Sequence, residues 1–412
     1  MRNRLRAALQ SSISMPTLIA IILIVVAAYI SEESSLRRIE PILSIELFVH
    51  RILSRLDWRQ QKSKFVTVVE VDDAAFWHPP FSGVQPTNRH ALADVALAAA
   101  KQGATVIAFD FAWKAPDWHP GDDNIRTKDN GYLLQTVSQI ASGKGLPRPV
   151  PIVVTTGLVD NKQGAWIREP NIFDDSAFQK AGATVGHINL PWDPRQIPLD
   201  MKAWEWNSQY EREFDSLGLQ IARAYEMAAH ITPSVTEVGA IRTAIGSDKF
   251  VYGGFLERDA FPVVSATDML ASSGKARFCA NRIVLIGGTW HEYSEGNGPL
   301  IESFRSSVGS VPGVYLHANY VESLLDGRFN SAVPPWLAVL VDLILAAFLT
   351  IAVRIPKKFL SRVTLLLVLL CPIFFAYVVS ASLGLYLDFV VALLLLIIHL
   401  VIEHYRGEPV VS

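Results

Sequence analysis

Three consecutive stretches decide the fold class: "FVTVVEVDD" (Phe65–Asp73), "TNRHALADVALAAAKQG" (Thr87–Gly103) and "ATVIAFDFAW" (Ala104–Trp113). The first and last are runs rich in β-branched and aromatic residues, each with acids at or near its end. The middle one reads as a helix, with Thr87 or Asn88 as N-cap and Gly103 as its stop. Strand, helix, strand in this order is a βαβ unit, which predicts parallel neighbours joined by a right-handed crossover. Further strand-like runs follow at "VPIVVTT" (Val150–Thr156), "TVGHINL" (Thr184–Leu190) and "RIVLIGG" (Arg282–Gly288). The expected fold is an α/β domain with a mainly parallel sheet.

The rest of the chain bounds what this domain can be. Its 412 residues leave room for a substantial core, and a net charge of −2 offers no basic excess for nucleic acid. Two cysteines, Cys279 and Cys371, form no disulfide framework. Four hydrophobic runs stand out, at 13–30, 334–353, 363–381 and 384–402. Each approaches the roughly 20 residues that cross a bilayer. Arg2, Arg4 and Arg6 precede the first, and Lys357, Lys358 and Arg362 fill the link between the second and third. Basic flanks stay on the cytoplasmic side. The expected plan is a cytoplasmic N-terminus (1–12), an extracytoplasmic domain (31–333) and a cytoplasmic tail (403–412), in a bacterial inner membrane. Trp336 and Tyr386 then fall at the outer interface. A signal-peptidase site at Val26–Ala28 is the rival reading of the first run. The ten residues of the tail are too few for a kinase or cyclase, so a signal would need a separate effector.

Several residues are candidates for chemistry. Parallel strands bring their carboxyl ends to one sheet edge, where ligands of open α/β folds bind. Asp72, Asp73 and Asp110 are expected there, either holding a ligand or cation or capping helices and pairing with arginines. Arg89, at the start of the first helix, joins them as a candidate ligand-binding residue. The glycine pair in "LIGGTWHEYSEG" (Leu285–Gly296) suggests a tight turn or an anion cradle, without a nucleotide motif. His291 and Glu292 lack the HExxH spacing of a zinc site. Asp342 and Asp388 sit at similar depth in the second and fourth runs and are candidates for intramembrane coupling.

From Ser35 to Trp58 an amphipathic helix interrupted at Pro41 is expected, as a docked connector or a lever. "PGVYLHANYVESLLDG" (Pro312–Gly327) reads as the domain's last helix, with Val314, Ala318, Val321 and Leu325 on its buried stripe. His317 leans to that side as a packed histidine. Asn319, about 200° around from it, does not.

Taken together, "FVTVVEVDD", the helix and strand after it, "FPVVSATDML", "NRIVLIGGT" and "VPGVYLHANYVESLLDG" resemble the CHASE type 2 family of extracytoplasmic sensor domains. The one-plus-three arrangement of hydrophobic runs is similar to that family's as well. The resemblance implies an α/β sensing domain coupled to kinase, cyclase or phosphodiesterase modules. It implies no catalytic residue, cofactor or metal, and none is carried over. The chain departs from the family pattern in lacking a tryptophan between Pro86 and Arg89. It places Glu292 and Glu295 where an aspartate is usual, and it shortens the gap between Asp193 and Arg195. The expected function is a membrane-anchored signal-input subunit acting on a separately encoded effector, with an unknown small ligand and homo-oligomers compatible. A membrane scaffold and a metal-dependent envelope enzyme are the alternatives.

Overall fold

The computed structural model describes residues 40–56, 62–83, 87–113, 123–160, 165–174, 176–191, 193–205, 210–229, 250–271, 278–294, 298–300, 303–333, 374–379 and 385–386. The chain divides into two compact units, one spanning Ser54–Phe329 and the other combining Met1–Leu53 with Asn330–Ser412.

The larger unit is built on six parallel strands: β1 (Val66–Val71), β2 (Val106–Asp110), β3 (Ile152–Thr156), β4 (Ala183–His187), β5 (Val263–Ser265) and β6 (Ile283–Gly288). Their order across the sheet is β5-β1-β6-β2-β3-β4. All residues of β1 and β3 are buried, as continuous apolar runs predict for a sheet covered on both faces. Helices α1 (Arg89–Lys101) and α2 (Asp123–Ser142) cover one face; α3 (Leu217–Ala229) and α4 (Gly313–Leu325) cover the other. The period-2 alternation divides β1 between them: Val69 and Val71 join the first core, Val66 and Val68 the second.

The α/β class and the parallel sheet are as expected, but one neighbour relation is not. β1 and β2 are parallel without being adjacent, because β6 lies between them and pairs with both. Strand pairing is a long-range choice, and a short apolar segment such as "IVLIGG" is well suited to a central slot. The glycines of β6 owe their place to packing. A Cβ on Gly287 would stand 2.5 Å from Val314 Cγ2, so its absence lets α4 lie close on the sheet.

Local signals set the helix ends. The Asn88 side chain accepts from the amides of His90 (3.0 Å) and Ala91 (3.2 Å), capping α1. Pro312 precedes α4, and Gly327 follows it with φ +64°. Asn319 corrects the amphipathic reading of α4. It is buried, like His317, because α4 is enclosed on every side. Its carboxamide oxygen accepts from the Leu256 amide at 2.6 Å, and its nitrogen donates to the carbonyls of Leu256 and Tyr315.

Glu322, on the same helix, fastens the entry of β1. Its carboxylate accepts from the amides of Phe65 and Val66, both at 2.8 Å, and from the Ser63 hydroxyl. Replacing one acceptor oxygen by an amide NH2 leaves a buried amide facing a donor. Glu322→Gln is therefore expected to cost about 2 kcal/mol, read as an earlier denaturation midpoint. An unchanged midpoint would remove this clamp from the account.

In the smaller unit, a helix spans Glu40–Leu56. Pro41 falls in its first turn, where a missing N–H costs nothing, so it begins this helix instead of interrupting it. Ser331 and Ala332 pair in parallel with Leu385 and Tyr386, and the His50 ring lies 5.6 Å from that of Tyr386. Among the described residues, no helix is long and apolar enough to cross a membrane. The first run, 13–30, and the second, 334–353, lie outside the described residues, as do all but short pieces of the third and fourth. Asp342 and Asp388 lie outside them too.

Candidate functional site

The strands β6, β2, β3 and β4 deliver their carboxyl ends to one edge of the sheet, and a cavity of about 1030 Å³ opens there. Its wall takes Gly288, Thr289 and Trp290 from the end of β6, and Asp110 to Trp113 from the end of β2. Gly157 and Leu158 come from beyond β3, and Ile188 to Leu190 from beyond β4. Thr87 and Arg89 from the start of α1, and Gly313 and His317 from the start of α4, close it on opposite faces.

The candidate residues part company here. Arg89 and Asp110 both line the cavity. The Arg89 guanidinium donates to the Asn130 side chain on α2. Asp72 is the N-cap of the one-turn helix Asp73–Phe76, accepting from the Ala75 amide at 2.8 Å. Asp73 holds the His291 amide at 2.8 Å and the His291 ring at 2.6 Å. Burial raises its pKa, but the hydrogen bonds from His291 and Trp77 and the charge of His291 together outweigh it and leave the carboxyl below the usual range. Asp72 follows β1 and Asp110 ends β2, two strands away across β6, a separation of about 10 Å. Among the described residues no group of three or more His, Cys, Asp or Glu could hold a metal ion.

The floor of the cavity is short of partners. Among the described residues the Asp110 carboxylate makes no hydrogen bond, and the titratable group beside it is His317, whose Nε2 stands 3.8 Å from Oδ1. Burial pushes Asp110 up to about 7 and His317 down to about 4. Burial, and then the charge of His317, take His187 down to about 3. Near neutral pH both imidazoles are uncharged. Among the described residues, Nδ1 of His317, both ring nitrogens of His187 and Nε1 of Trp113 are buried without a hydrogen-bond partner. Unsatisfied buried polar atoms are rare in native structures, and two of these, on His317 and Trp113, belong to residues that line an opening a ligand can fill.

The walls are aromatic. Trp290 is stacked on Phe76 at 4.2 Å between ring centroids and lies nearly parallel to Phe111 at 6.3 Å. Trp113 meets Phe109 edge-on.

The family model of the CHASE2 domain matches residues 19–353. The chain belongs to the CHASE2 family. CHASE2 domains are extracytoplasmic sensor domains, and a sensor role for this chain is consistent with that membership. The search of curated proteins and the search of solved structures gave no match.

Within the CHASE2 domain, sequence reasoning passed over His187, Trp290, Glu169 and Asn189, although the last three line the cavity. The available signal was position. His187 ends β4, while Asn189 and Trp290 stand just beyond strands that periodicity identifies, at the edge where parallel sheets bind ligands. The motif most specific to the CHASE2 resemblance, in α4, supplies Gly313 and His317 to the wall and Glu322 to the β1 clamp.

Proposed function

We propose that this protein is a membrane-anchored signal-input subunit: its extracytoplasmic CHASE2 domain takes up a small ligand, and its membrane segments pass the change to a separately encoded effector. The observation that carries the reading is a ligand-sized cavity at the carboxyl edge of the sheet, inside a sensor-family domain, whose lining residues His317 and Trp113 hold buried nitrogens without a partner among the described residues.

The membrane plan proposed is the one the charges predict, with spans at 13–30, 334–353, 363–381 and 384–402 and residues 31–333 outside the cytoplasm. The parallel pairing of Ser331–Ala332 with Leu385–Tyr386 supports it. Parallel strands run the same way, so the chain heads into the second and fourth runs from one side and in one direction. That direction is consistent with a third run that returns across the bilayer between them. Asp342 and Asp388, near the starts of those two spans, are the proposed points of contact with an effector's helices, where a carboxylate in hydrocarbon requires a partner. The alternative of a scaffold leaves the unpartnered cavity floor without a role. The metal-dependent enzyme needs converging carboxylates, and Asp72 and Asp73 are engaged elsewhere.

The test is affinity purification of the full chain in mild detergent, with mass spectrometry of what accompanies it. A kinase, cyclase or phosphodiesterase is expected in the complex, and Asp342→Asn with Asp388→Asn should reduce its yield at least fivefold. Repeated purification without any such effector would overturn the signal-input reading.

A further inference from the structure

We propose that the ligand is an organic ammonium ion, with the Asp110 carboxylate as its counter-ion and the rings of Trp290, Phe111 and Phe304 as its walls; this rests on the cavity being the sensor's ligand seat.

An aspartate carboxylate offers about four acceptor sites. Among the described residues none of Asp110's sites is filled by a hydrogen bond, although its side chain is only 15 % exposed. The charged and titratable groups that face it from the surrounding elements are His317 on α4, Arg89 on α1 and Glu169 beyond β3, with His187 beside His317. None donates to it. An N–H donor or a positive charge from a ligand would complete the site.

Three observations choose between kinds of ligand. Glu169 gives the cavity a second acid beside Asp110, against one cation, the Arg89 guanidinium, which donates to the neutral Asn130 side chain, so the lining carries two carboxyl groups to one positive charge. A hard metal cation requires several oxygen ligands, and among the described residues no such cluster exists. Aromatic faces, by contrast, attract organic cations, and the stack of Trp290 on Phe76 holds its ring in place to do so. Apolar walls around one desolvated acid match an ammonium group on a carbon frame.

Protonation gives the experiment its sign. Free Asp110 titrates near 7, and an ammonium ion favours the ionised form, so binding below that pH must expel a proton. The full chain in detergent is titrated calorimetrically with putrescine, γ-aminobutyrate and tetramethylammonium, and separately with succinate and inorganic phosphate. Each titration is run at pH 6 in two buffers of different ionisation enthalpy. At least one ammonium probe is expected to bind with close to one proton released, and its affinity should fall about tenfold per pH unit below 7. Asp110→Asn should weaken it at least tenfold and abolish the proton release.

Binding of succinate or phosphate with proton uptake would overturn the ammonium assignment and leave the sensor reading standing. Ammonium binding indifferent to both pH and Asp110→Asn would overturn it too, as would the failure of every probe to bind. The proton count needs only the unsubstituted protein, so the test survives a poorly folded variant. An absent effector complex, by contrast, defeats the sensor reading whatever the titrations give.

Discussion

Asp193→Ala is expected to destabilise the extracytoplasmic domain by about 3–5 kcal/mol, lowering its unfolding temperature by roughly 10 °C. Arg195 and Asp193 are fully buried, and their contact is bidentate: Nε to Oδ1 at 2.9 Å and an Nη nitrogen to Oδ2 at 2.8 Å. The Arg195 amide also donates to Oδ1, and the Arg195 carbonyl accepts from the Gly253 amide. Truncating the acid removes the bidentate carboxylate from a buried guanidinium, which costs far more than the pair itself contributes. Exchanging both residues for apolar ones of similar volume, Asp193→Leu with Arg195→Met, should recover most of the loss. A single-variant midpoint within 1 kcal/mol of the parent protein would show that water reaches this pair.

Asp110→Asn should act in the opposite direction, stabilising the unliganded protein by up to about 4 kcal/mol at pH 8 and hardly at all at pH 4. The native pKa, about 7, is raised above the unfolded value of 3.8. The folded form therefore holds a proton that the unfolded chain has released. The acid's contribution is complete below 3.8, declines as pH rises towards 7, and is gone above it. Asparagine has no such dependence. His317 and His187, shifted down to about 4 and 3 by burial, act the other way and lose stability as pH falls below 6.5. Both remain in parent and variant, so the difference between the two unfolding curves isolates Asp110. A difference that does not vary from pH 4 to 8 would refute the burial of this carboxyl.

Local pattern carried the elements and non-local pairing did not. The β-branched runs at Val66–Val71, Val106–Asp110 and Ile152–Thr156 are strands, and Asn88 caps the helix where it was expected. Nothing within Arg282–Gly288 marks it for a place between two earlier strands, because that depends on partners about 180 and 215 residues away. The stripe in α4 was legible, yet Asn319 is buried as well, since a helix packed on all sides offers no polar face for periodicity to detect. Pro41 reads as a break or a start according to a helix boundary that the sequence leaves open. The carboxyl edge was foreseeable from the βαβ order, and two of its four candidate residues, Asp110 and Arg89, line the cavity there. Asp72 and Asp73 share the same sequence signal but are consumed by the turn that follows β1.

The placement of β6 also governs how the chain can acquire its shape. A polypeptide emerging N-terminus first presents β1, α1 and β2 early, but the ladder between them stays open until residues 283–288 arrive. The sheet cannot close progressively behind the translocation machinery or the ribosome. Its two halves must wait as uncapped edges, templates for mispairing with other chains. Fragments ending before the sixth strand should therefore aggregate instead of folding in part.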